Sequence, residues 1–154
     1  MMTPAQVIDL LSLAARYDSR TVGQEDVRAW GLIANEQDWH PAAAARAVIE
    51  HAKHDPIPVR PAHIKAILDA KTTEIRRALF RTDLTPPREL AEDPLAEIAW
   101  RREYTSTATA AALEHWAQTG ELPQALPPAP ELDSVPRPQL EAAIRRMADA
   151  KRPT

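Results

Sequence analysis

The chain has 154 residues, with 19 lysines and arginines against 22 aspartates and glutamates, and no cysteine. That length suits one modest domain with appendages. The missing thiols exclude a disulfide framework, a thiolate nucleophile and a cysteine zinc site, as fits a reducing cytoplasm. A formal charge of −3 argues against a general nucleic-acid coat. No run approaches about eighteen apolar residues, so the expectation is a soluble, unexported protein with no membrane partner.

Only three glycines occur, alanine is abundant and β-branched runs are absent, so the predicted class is all-α. A compact four-helix N-terminal domain is expected over residues 1–70. Its first helix opens at Thr3 as N-cap, with Pro4 at the first helical position and Gln6 at the capping-box position. Val7, Ile8, Leu11 and Ala15 form its apolar stripe, widened by Leu10 and Leu13. A second helix starts near Gly23, where Gln24, Glu25 and Asp26 suit the positive end of the dipole, and it buries Val27, Trp30 and Ile33. The third starts at Pro41, next to His40, and turns Ala45, Val48, Ile49 and Ala52 inward.

The stretch "HDPIPVRPAHI", His54 to Ile64, then makes a stiff joint. Pro56 and Pro58 offer no backbone donors and hold it extended, and Pro61 starts a fourth helix whose Ile64, Ile67 and Leu68 return to the core. Residues 71–82 continue that helix as a basic extension carrying Arg76, Arg77 and Arg81. Such a cluster holds phosphates in some proteins and is a solvated face in more of them, so these arginines are the candidate nucleic-acid contacts.

Residues 83–93 are a linker, because Pro86 and Pro87 cannot sit inside a regular helix. An amphipathic helix is predicted over 94–120, capped by Asp93 and Pro94, seamed by Leu95, Ile98, Ala99, Ala112, Leu113 and Trp116, and stopped by Gly120. Its middle, "YTSTATA", is a poor helix former that needs packing to hold it. Residues 121–137 are a proline-rich, acidic tether. A short helix over 138–152 follows, with Leu140, Ile144 and Met147 on one face; it is marginal alone in water and suited to a partner's groove.

Catalytic patterns find no support. There is no phosphate-cradling GxxxxGK[ST] stretch, and none of Ser12, Ser19, Ser106 and Ser134 stands in a nucleophile elbow. The expectation is a protein that is no enzyme and carries no cofactor. His51, His54, Asp55 and His63 lie near one another in sequence, yet the proline joint separates His63 and a histidine at a helix C-terminus already suits the dipole. No metal site is assigned.

Among the tryptophans, Trp30 reads as core, while Trp39 either covers the core or offers its ring to a partner. Trp100 and Trp116 are sixteen residues apart, which leaves them about 160° apart around a straight helix. At least one is therefore exposed or covered by something outside that helix, which makes both partner-binding candidates with Leu140, Ile144 and Met147.

The run from Val7 to Leu68 resembles the N-terminal domain of small phage-encoded loaders that bind and inhibit a DnaB-class replicative helicase. The shared features are an apolar first helix ending in Tyr17, the pair Thr21 and Val22, an acidic helix start before Trp30, a helix ending in His51, and a proline-bearing joint before "PAHI", Pro61 to Ile64. The resemblance covers about the first 70 residues and rests on helix-packing positions. It implies a compact helical front and a less ordered rear that makes much of the helicase contact. This chain departs from the pattern in its more elaborate rear. The implied function is non-enzymatic: the protein holds the hexamer in one state in the bacterial host's cytoplasm and delivers it to an initiator complex.

Two other readings stay open. In one, the second and third helices are a helix-turn-helix of a DNA-binding replisome organiser, although Glu36 and Asp38 precede a recognition helix made mostly of alanine. In the other, a phage protein uses this domain to disable a different host factor.

Overall fold

The computed structural model describes residues 1–82, 84–90 and 93–125, and every regular element among them is helical. In chain order these are α1 (Pro4–Asp18), α2 (Gln24–Glu36), α3 (Pro41–His54), α4 (Pro61–Arg81) and α5 (Pro94–Thr119), with a single 3-10 turn at Arg88–Leu90 before α5. The protein is all-α, as its composition predicts. Two compact units divide it: Met1–Ile75 with Ala111–Gln124, and a second built on Arg76–Ala110.

The helix ends are set locally. Thr3 Oγ1 accepts from the Gln6 amide at 3.3 Å and Gln6 Oε1 accepts from the Thr3 amide at 2.8 Å, so α1 begins with a reciprocal capping box. Asp26 Oδ2 accepts from the Gly23 amide at 2.9 Å at the start of α2. Asp93 Oδ1 accepts from the amides of Leu95 and Ala96, both at 3.1 Å, at the start of α5. Gly120 ends α5 at φ 84°, a left-handed conformation that favours glycine, with its amide on the Trp116 carbonyl at 2.8 Å.

In the first unit α1 packs against both α2 and α3. The face of α1 that does so is Val7, Leu10, Leu11 and Ala14, the i, i+3, i+4, i+7 set. This corrects the expected stripe, because Ile8 lies about 100° round the helix from Val7 and is 46% exposed, and Ala15 is half-buried. α3 shows a similar rotation. Its buried set is Ala43, Ala44, Ala47, Val48 and His51, while Ala45, Ile49 and Ala52 are half-buried. Trp30 and Ala34 are the buried residues of α2, with Val27 and Ile33 half-buried beside them. Met2, Trp39, Val59, Ile64 and Trp116 complete this core.

Along α5 the buried positions include Ala96, Trp100, Tyr104, Ala108, Ala112 and Trp116, each four residues after the last. Four residues rotate by about 400°, so the line drifts by about 40° per step and winds around the helix. That is how Trp100 and Trp116 are both buried although they point about 160° apart. Two residues of the expected seam, Leu95 and Ile98, are exposed instead, at 56% and 46%. The poor helix former in the middle stays helical, and its hydroxyls turn back on the helix: Thr105 Oγ1 donates to the Arg101 carbonyl at 2.7 Å and Thr109 Oγ1 to the Thr105 carbonyl at 2.6 Å.

Candidate functional site

The proline joint is held from two sides. Asp18, at the end of α1, takes the Arg20 Nε on both carboxylate oxygens at 2.8 and 3.0 Å, and Arg20 Nη2 donates to Asp18 Oδ2 as well. Asp18 Oδ2 also accepts from the Val59 amide at 3.2 Å, and Arg20 Nη2 donates to the Val59 carbonyl. Both backbone groups of Val59 are thereby satisfied by one ion pair, and the guanidinium lies 5.3 Å from the centre of the Trp30 ring. The hydrogen bonds from Arg20 hold the Asp18 carboxyl below the usual carboxylate range, against the opposing effect of burial.

On the other side, His51 Nε2 meets the Ile57 carbonyl at 2.8 Å, and the ring stacks on His63 with centres 4.5 Å apart and planes 19° from parallel. Sequence reasoning put the joint between these histidines as a separator. In fact the joint loops out and back, so the start of α4 returns beside the end of α3 and the rings meet. Stacked rings do not converge their nitrogens on a common point, and the Arg60 amide already donates to His63 Nδ1 at 3.3 Å. His54 is exposed, and among the described residues no group of three or more His, Cys, Asp or Glu side chains is placed to hold a metal ion. Tyr17, Asp18, Val48, His51, Ile57 and Val59 line a pocket of about 90 Å³, well below the roughly 300 Å³ of an ordinary small-molecule site. The joint is thus a structural device.

The tryptophans offer no free ring. Trp39 covers the core at 4% exposure, and Trp100 and Trp116 are each 1% exposed. Of the two expected outcomes, a ring exposed or a ring covered from outside the helix, the chain uses the second for Trp116. Trp116 belongs to the core of the first unit, and Trp100 stacks on Tyr104 with centres 6.2 Å apart. The remaining apolar candidates, Leu140, Ile144 and Met147, lie outside the described residues.

What stands at the surface is the end of α4. Arg76, Arg77 and Arg81 are all exposed, while Ile75 and Leu79 on the other side of the helix are buried. The same turn carries Phe80, the only phenylalanine in the chain, at 90% exposure. Sequence reasoning singled out the arginines and passed over Phe80. The available signal was its place, four residues after Arg76 and one after Leu79, off the apolar line of the helix.

Compared with protein-family models, curated proteins and solved structures, the chain matches none. Its class therefore rests on its own features: an all-α protein in which no described helix is long and apolar enough to cross a membrane.

Proposed function

We propose that the chain is a non-enzymatic accessory protein of phage or prophage replication, which binds a DnaB-class replicative helicase in the bacterial cytoplasm and loads or restrains it. The observation that carries this reading is the ordered set of features in the first 70 residues that resembles the front domain of such loaders. Those features have distinct packing tasks: Trp30 fills the core, His51 braces the joint, and Pro61 starts α4.

The helix-turn-helix alternative draws little from α3. Its exposed residues are only Ala42, Lys53 and His54, and both Lys53 and Arg46, the one arginine of the helix, are paired with Glu50 at 3.0 Å. Few side chains remain there to read bases.

The test is capture of partners from host lysate by the full chain, followed by titration against the purified helicase. We expect a DnaB-class hexamer to be captured. We also expect Leu140→Asp with Ile144→Asp to weaken its binding at least tenfold, about 1.4 kcal/mol, without altering the melting of the first unit. Unchanged affinity of that double variant would remove the tail from the interface, and failure to bind any DnaB-class helicase would reject the function.

A further inference from the structure

The exposed end of α4 combines two properties that the helicase reading does not use. Arg76 and Arg77 stand four and three residues before Phe80, so the three side chains are neighbours on one helix face, with Arg81 alongside. The acids of the same helix are engaged elsewhere: Asp69 pairs with Lys65, and Glu74 with Lys71 at 2.9 Å. Among the described residues Arg76, Arg77 and Arg81 have no ion pair or hydrogen bond. They are exposed cations beside an aromatic ring that is 90% exposed.

We infer that this face binds single-stranded nucleic acid, with the arginines on phosphates and Phe80 stacked under an unpaired base. The arginine fork matches phosphate oxygens bidentately. A ring on a convex helix has no pocket of its own, but a flat ring can stack on it, and an unpaired base offers one whatever its identity. A duplex supplies the phosphates and keeps its base faces stacked away, which would leave Phe80 without a role. An acidic peptide supplies carboxylates and no flat ring at regular intervals. The buried Ile75 and Leu79 fix the rotation of the helix, so the face is presented before any ligand arrives. This inference is independent of the helicase reading, and no helicase enters its test.

The test is fluorescence anisotropy of the full chain with a labelled oligothymidylate of about fifteen nucleotides, against a duplex of the same length. Three arginines on three phosphates predict a slope of log K against log salt near −2, or about a twentyfold loss of affinity between roughly 50 and 200 mM salt. Phe80→Ala is expected to weaken single-strand binding about fivefold or more with the slope unchanged. Phe80→Trp, which keeps a stacking ring, is expected to retain it. Replacing Arg76, Arg77 and Arg81 by glutamine is expected to abolish both binding and its salt dependence. All four residues are exposed, so the variants should melt with the parent. Absence of binding to oligothymidylate at low salt would overturn the inference. So would equal affinity for duplex with no effect of Phe80→Ala, which would reduce the face to plain charge attraction. Binding of polyglutamate with no binding of the oligonucleotide would overturn it in favour of an acidic protein partner.

Discussion

Asp18→Ala removes the carboxylate that holds the proline joint to the end of α1. The Asp18 side chain is 6% exposed and that of Arg20 23%, so the pair is largely withdrawn from water. The substitution leaves the Val59 amide without its acceptor, in a residue that is itself 4% exposed. It also takes the counter-charge from a guanidinium that keeps only the Val59 carbonyl and the Trp30 ring. Hydrogen bonds to charged groups contribute about 1.5 to 3 kcal/mol each, and stranding one member of a buried pair costs about 3 to 5 kcal/mol. Because Arg20 keeps those two contacts, the lower end applies. The expected loss is about 3 kcal/mol, a fall in Tm on the order of 10 °C. The pH dependence provides a second check. The folded-state pKa of Asp18 is depressed, so its contribution is present above the unfolded carboxylate value near 3.9 and is lost as pH falls through the lower folded value. Melting followed by circular dichroism should show the full gap between parent and variant from about pH 7 to pH 5, closing below about pH 4. A gap that stays constant into strong acid, or a variant that melts with the parent at neutral pH, would refute the reasoning.

Two further substitutions probe the same unit. Trp30→Ala empties a core position only 7% exposed and removes the ring beneath Arg20; thermal unfolding should show a loss of about 3 to 5 kcal/mol. Gly120→Ala sets a Cβ 1.7 Å from Arg46 Nη2 at a φ of 84°, so Arg46 must leave its place beside Glu50 and the backbone must bear the strain. A cost of about 1 to 2 kcal/mol is expected in denaturant unfolding, and a variant as stable as the parent would show that the end of α5 relaxes freely.

The boundaries of the helices were legible because they depend on near neighbours. Thr3 with Gln6, Pro41, Pro61 and Gly120 each act within about one turn, and their residue types announce the role. The phase of the helices was less legible. Alanine carries little hydrophobic contrast, and the run from Ala42 to Ala45 lets the inward face of α3 slide by one residue without disturbing the pattern; the core then closed on His51, a residue that periodicity treats as polar. The winding buried line of α5 escaped a search for a straight stripe. The tie between Asp18, Arg20 and Val59 joins residues about forty apart in sequence, and no local rule brings them together. Phe80 was legible by contrast: one residue after Leu79 it stands about 100° off the apolar line of α4, and only the general tendency of large aromatics to be buried spoke against its exposure.

The winding line of α5 also sets which changes the helix can absorb. Ser106 and Thr107 are exposed, so their identity matters little as long as the helix forms. Their number is another matter. Deleting either would turn Ala108 by about 100° relative to Tyr104 and draw it about 1.5 Å closer along the axis. One of two residues that are now 0% and 3% exposed would then face water. In most proteins insertions and deletions gather in polar surface stretches of this kind. Here a solvent-facing, serine- and threonine-bearing stretch is free to drift in composition and bound in length, because what it transmits is an angle.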